Sequence, residues 1–236
     1  EAEREASFFT TGGLAAVHSA GRDRNSIWEG LTNKETYGTS GDRILLWFDL
    51  IQNDSIFPMG SSTSLNKNPV FRVKAVGAFE QKPGCPDYSS TNITEEEISR
   101  ICKNECYNPS DKRKNISRIE VVKITPQINP NEPVETLISD VWKSFECSPS
   151  QQGCEFEFID EDYEKESRDS IYYVRAIQEA SPVINAGNLR CTYNQEGECV
   201  KVNICYGDSR TDKDDDCLTL SEERAWSSPI YVNYKI

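Results

Sequence analysis

The residues whose types invite chemistry cluster near the start of the chain. His18 is the only histidine in 236 residues. It follows the short apolar run Leu14–Val17, where a strand should end, and that end of the sheet is where α/β folds build their sites. An imidazole there can ligate a metal or shuttle a proton; the plainer reading is a packed, hydrogen-bonded side chain. Arg22, Arg24 and Arg43 offer forked guanidinium groups that hold an anionic substrate through paired hydrogen bonds, and solvated arginines are equally expected there. Thr39, Ser40 and Gly41 offer hydroxyl and backbone N–H groups to a phosphate, although such a turn more often only ends a helix. The catalytic candidates are therefore His18, Arg22 and Arg43, and the substrate-binding candidates Thr39, Ser40 and Gly41.

A second candidate is acidic. Asp212, Asp214 and Asp216 alternate, with Glu223 at the twelfth position counted from Asp212, a spacing that calcium loops use. Cys217 stands where the turn glycine belongs, so an acidic solvated loop is the favoured reading. The chain has no nucleophile elbow, P-loop or His-Glu-x-x-His motif, and one histidine cannot build a multi-histidine metal centre.

Nine cysteines accompany that single histidine. Zinc sites mix Cys with His or show paired short Cys spacings, whereas these spacings are irregular and fall in polar loops. Disulfides are expected, with Cys147–Cys154, Cys191–Cys199 and Cys205–Cys217 as local pairs. Cys85, Cys102 and Cys106 compete for the rest: Cys102 and Cys106 share a helix face, and either can reach Cys85. Disulfides imply an oxidising compartment, extracellular or periplasmic. Three glycosylation sequons, at Asn53, Asn92 and Asn115, are too common by chance to carry weight. The charge is acidic, 39 Asp and Glu against 26 Lys and Arg, which excludes the basic face of a nucleic-acid binder. No apolar run is long enough for a membrane span.

The elements that would position these groups begin with Gly12–Ile44. Leu14–Val17 reads as a buried strand. Asp23 caps a helix with Ile27, Trp28 and Leu31 on one face. Gly38 and Gly41 break it, and Arg43–Leu50 reads as the next strand, which gives a β–α–β unit. A parallel strand needs neighbours on both edges, and the charged lead-in of residues 1–11 supplies none, so a longer precursor is expected. Later, Phe71, Val73 and Ala75 alternate with Arg72 and Lys74 in a strand, and Thr94 with Glu97 makes a capping box for a helix running to about Cys106. Strands are also expected at Ser117–Ile124, over Phe156 and Phe158, at Ile171–Ile177, over inward-facing Val200, Val202 and Ile204, and at Ile230–Tyr234. Short strands separated by turns suggest a β-sandwich-like domain.

The stretch Gly12, Gly13, Leu14, Ala16 and Val17, then Arg24, Ile27 and Trp28, then Lys34, Glu35, Tyr37, Thr39, Ser40, Gly41, Arg43 and Ile44 resembles the closing segment of a large bacterial family of unknown function. That family is related to the PHP (polymerase and histidinol phosphatase) metal-dependent phosphoesterases. The chain departs from the pattern with Gly38 where alanine is common. Ile171–Glu179 and Arg224–Val232 also resemble the family.

The resemblance implies an α+β chain: residues 1–50 as the last β–α–β unit of a PHP-like barrel, and residues 51–236 as an accessory, disulfide-stapled, mostly antiparallel β-sandwich-like domain. It implies the C-terminal part of a secreted or periplasmic metal-dependent phosphoesterase, with most metal ligands on an N-terminal polypeptide of the same precursor. Divalent metal ions are then expected for the intact protein and none for this chain alone. The alternative is a non-catalytic binding or assembly module, which a homo-oligomer would also suit.

Overall fold

The computed structural model describes residues 12–53, 55–102, 106–206 and 209–235, and for Ser90 and residues 99–102 it describes no side chain. The lead-in of residues 1–11, the last turn of the helix expected to reach Cys106 and the thiol of Cys102 lie outside the described residues. In chain order the strands are β1 Leu14–Val17, β2 Thr36–Thr39, β3 Leu45–Gln52, β4 Ser55–Pro58, β5 Ser62–Leu65, β6 Val70–Val76, β7 Phe79–Gln81, β8 Pro109–Arg113, β9 Ile116–Ile124, β10 Ile138–Glu146, β11 Cys154–Ile159, β12 Ser170–Gln178, β13 Ser181–Ile184, β14 Thr192–Tyr193, β15 Cys199–Lys201, β16 Leu218–Ser221, β17 Arg224–Ser227 and β18 Ile230–Tyr234. The right-handed α-helices are α1 Arg24–Thr32, α2 Glu95–Cys102 and the single turn α3 Tyr163–Glu166; short 3-10 turns lie at Asp87–Ser90 and Val134–Thr136, and a left-handed turn at Ala186–Arg190.

Two sheets face each other. The larger is centred on β12, the most β-prone run of the sequence. One edge of β12 pairs with β9, which pairs with β10; its other edge is shared by β17 and β18. Beyond β17 lie β2 and then β1, and beyond β18 lies β5. Every pairing in it is antiparallel except β18 with β5. The smaller sheet runs β11-β6-β3-β4, all antiparallel.

Alternation explains which faces meet, because successive side chains point to opposite sides of a strand. Leu46, Phe48 and Leu50 of β3 and Phe71, Val73 and Ala75 of β6 are all buried, opposite Ile119, Val121, Tyr172, Val174, Ala225, Ile230 and Val232 of the larger sheet. The outward residues of β6 and β11 are charged and oppose each other across the ladder: Arg72 faces Glu157 and Lys74 faces Glu155. Residues on either side of position 50 share both sheets and this core, since β2 pairs with β17 and β3 with β6.

The expected β–α–β unit takes a different form. Asp23 caps α1 as expected, accepting from the N–H groups of Asn25 and Ser26. After Asn33, however, Lys34 adopts a left-handed φ of 60°. The chain returns beside the end of β1, where the His18 N–H donates to the Glu35 carbonyl at 2.8 Å. β2 starts at that point and must run antiparallel to β1. A parallel return would need a crossover ending at the opposite end of β1. The Gly38 region expected as a turn is therefore strand, and the strand expected to pair beside β1 joins the other sheet as β3. No barrel segment is formed by the described residues.

Three expected disulfides, Cys147–Cys154, Cys191–Cys199 and Cys205–Cys217, are present, and Cys85 pairs with Cys106. Cys147–Cys154 ties the end of β10 in one sheet to the start of β11 in the other. The capping box of α2 forms, with Thr94 and Glu97 exchanging hydrogen bonds. One pattern misleads: Val200 and Val202 are exposed. Among the described residues no layer covers the two-stranded β14–β15 ribbon, and the Cys191–Cys199 bridge rather than burial holds it.

Candidate functional site

His18 sits against the open half of a strand. The ladder phase turns the N–H and C=O of Leu46 away from β6, and β4 covers that edge of β3 only from Asp49 onward, so no described strand meets them. The His18 Nε2–H donates to the Leu46 carbonyl at 2.8 Å, and the Tyr37 hydroxyl is held by the backbone of the same residue, although burial is the larger influence and raises its pKa. The imidazole packs beside the Tyr37 and Trp47 rings, 5.4 and 5.8 Å between centroids. Nearby Asp49 is pushed above the usual carboxylate range by burial, against the pull of Arg72 and His18. The geometry makes His18 an edge cap: side chains replace the missing strand partner of Leu46. His18→Ala is expected to lower stability by about 1–3 kcal/mol, the cost of leaving a buried backbone group unpaired, measured by urea unfolding. Unchanged stability would remove this role.

The turn between β2 and β3 gathers the other early candidates. Thr39 is buried at the end of β2. Ser40 is a knot: its N–H donates to the Arg224 carbonyl at 2.9 Å, its Oγ accepts from the Arg224 N–H at 2.8 Å, and its hydroxyl donates to the buried Glu223 carboxylate. The Gly41 N–H reaches the Thr39 hydroxyl at 3.4 Å. The groups proposed to cradle a phosphate are thus already engaged in fastening this turn to β17. Arg43 is exposed and lies 3.9 Å over the Tyr107 ring. Arg22 and Arg24 are exposed on the loop and helix start.

Sequence reasoning missed what surrounds this turn. The Asp42 carboxylate accepts from Lys114 Nζ at 2.7 Å and from Gln178 Nε2 at 2.6 Å. Glu179 is held below its ordinary value, first by the Asn115 backbone N–H. Gly41 and Asp42 separate two clefts, one of about 330 Å³ toward Arg43, Phe79 and Tyr107, the other of about 750 Å³ toward Lys114, Ser181 and Glu223. No motif announces this set, because its members come from three distant segments, at Asp42, Lys114–Asn115 and Gln178–Glu179.

The acidic loop does not gather as a calcium site. Asp212 and Asp216 each accept from a backbone N–H two residues on, and Asp215 pairs with Arg190 at 2.8 Å. Glu223, the twelfth position, is turned to Ser40 instead. Among the described residues no three His, Cys, Asp or Glu side chains converge to hold a metal, so the divalent metals implied by the resemblance find no fitting ligand set here.

The remaining feature is a surface. Gly30 packs α1 onto the end of β1: a Cβ there would lie 2.7 Å from Val17 Cγ1. The apolar side chains of α1 are left facing solvent, Ile27 at 38%, Trp28 at 68% and Leu31 at 47% exposed, with Leu14 of β1 at 41%. Val17, Ala20 and Ile27 line a groove of about 530 Å³ between strand and helix. The His18–Glu35 bond fixes the phase of β1, so Ala15 and Val17 direct their N–H and C=O groups away from β2. No strand among the described residues takes them.

Residues 1–49 match the model of a family described as a protein of unknown function, DUF3604. The match spans β1, α1, β2 and most of β3, the stretch that carries the motifs quoted above. No curated protein and no solved structure matches the chain. The four disulfides indicate an oxidising compartment, and no helix among the described residues is long and apolar enough to cross a membrane.

Proposed function

We propose that this chain is a disulfide-stapled accessory module of a secreted or periplasmic protein, docked through β1 and α1 onto an N-terminal polypeptide of the same precursor. The metal-dependent phosphoester hydrolysis implied by the resemblance is assigned to that polypeptide, with its own metal ligands. The observation that carries this reading is the exposed set Leu14, Ile27, Trp28 and Leu31 beside the edge of β1 that no described strand takes. Burying each such side chain is worth roughly 1.5–3 kcal/mol, and an open strand edge is a ready template for another strand. A segment of the same precursor reaches that edge at a higher effective concentration than a separate partner does.

The test is co-expression of this chain with the preceding part of its precursor as separate polypeptides. They are expected to co-purify, Trp28→Glu is expected to weaken the association at least about tenfold, the loss of one buried anchor, and an apolar dye bound by the isolated chain is expected to be displaced. Failure to associate, or a dimer of this chain that hides Trp28, would sink the reading.

A further inference from the structure

Lys123 occupies an inward position of β9, directly across from Tyr172 of β12 and following inward Ile119 and Val121. It is 5% exposed, yet it carries an ammonium. Its Nζ lies 2.7 Å from Asp160 Oδ2 and 2.6 Å from Glu166 Oε2. Asp160, at the end of β11, is 1% exposed. Its Oδ2 also accepts from the Tyr172 hydroxyl at 2.6 Å, and its Oδ1 accepts from the Asp162 N–H at 3.1 Å. The Trp142 ring lies 5.5 Å from Nζ. A buried ion pair is seldom better for stability than apolar side chains of the same volume. The same arrangement does hold an amine nitrogen against a buried carboxyl group with a proton acceptor beside the amine, which is what an intramolecular condensation requires.

We propose that Lys123 and Asp160 condense to an amide that cross-links the two sheets of the sandwich. Glu166 takes one proton from the Lys123 ammonium. That proton passes from Glu166 to Oδ2, which makes Asp160 a neutral carboxyl group. The freed lone pair then forms the Nζ–Cγ bond, with the charge on Oδ1 met by the Asp162 N–H, and a second proton from Nζ passes to Oδ2, which is polarised by the Tyr172 hydroxyl. The Cγ–Oδ2 bond breaks and Oδ2 leaves as water. One ammonium and one carboxylate become one amide and one water, Glu166 is regenerated, and no oxidant or other reactant is consumed. The two carboxylates favour the ammonium form of Lys123 against desolvation, which disfavours it, so the local base is needed to release the amine. Glu166, with its side chain 41% exposed, connects the buried cluster to solvent.

The experiment is intact-mass measurement of the folded chain after reduction of its disulfides, followed by tryptic mapping. The expected result is a mass lower by one water, no cleavage after Lys123, and a branched peptide joining Lys123 to Asp160. Glu166→Gln, which keeps the size of a half-exposed side chain, is expected to fold with unchanged near-UV circular dichroism and to show the full mass. A full mass for the folded wild-type chain, or a missing water located elsewhere, overturns the proposal; a missing water that persists in Glu166→Gln overturns Glu166 as the base.

Discussion

Phe71→Ala is expected to lower the free energy of unfolding by about 3–5 kcal/mol, the cost of truncating a fully buried aromatic side chain and leaving the space partly empty. Phe71 is the second residue of β6 and has no exposed surface. Its ring lies 5.4 Å from Phe48 and 5.3 Å from Phe158 within its own sheet, and 4.6 Å from Tyr172 of the opposite sheet. It is therefore the residue through which the smaller sheet meets the centre of the larger one. The neighbouring rings are fixed by strands on both sides, so the cavity cannot close by local collapse. Urea unfolding with the disulfides intact is the measurement, and the midpoint should fall without a change of slope. A loss below about 1 kcal/mol, the scale of an ordinary surface substitution, would mean that the two sheets do not pack in this way.

Reduction of the disulfides is expected to unfold the chain at moderate temperature. Each closure contributes roughly 2–4 kcal/mol, mainly by restricting the unfolded chain, and four together rival the whole stability of a typical domain, about 5–15 kcal/mol. The four bridges close short loops, with sequence separations of 21, 7, 8 and 12 residues. Their consequences differ by position. Cys147–Cys154 joins the two sheets, so its removal should lower the global melting temperature. Cys191–Cys199 and Cys205–Cys217 clip the segment after β13, whose ribbon exposes Tyr193, Val200 and Val202; their removal should free that segment and leave the sandwich transition largely in place. Thermal melts of Cys147→Ala/Cys154→Ala and Cys191→Ala/Cys199→Ala, compared with the reduced chain, separate these effects. An unchanged melt on full reduction would show that the core alone suffices.

If the Lys123–Asp160 amide forms, it holds the two sheets together where no disulfide is needed, and reduced protein that contains it should refold more readily than the Glu166→Gln variant. The docking face and this cross-link lie at separate places in the fold, one on β1 and α1 and the other between β9 and β11. Either can therefore fail in experiment without the other.

Much of the architecture was legible in the residues because it depends on local pattern. Phe71, Val73 and Ala75 alternating with Arg72 and Lys74 can bury only one face of a strand, and they do. Asp23 before α1 and the Thr94–Glu97 pair before α2 satisfy backbone donors within a few residues of themselves. Three disulfides followed from short spacing across turns. What the sequence could not determine is where a strand finds its partner. Leu14–Val17 has the composition of a buried parallel strand, yet a left-handed residue at Lys34 and a return beside His18 make it an antiparallel partner of β2 and the outermost described strand on that side. Pairing of strands is settled by the competition among all edges of the chain, which no local window contains. The same reason hid the polar groups. Glu223 meets Ser40 across 183 positions, Gln178 meets Asp42 across 136, and Lys123 meets Asp160 only because two sheets close over them. Their residue types are ordinary on a surface; burial and proximity, which arise only when the sandwich forms, give them their chemistry.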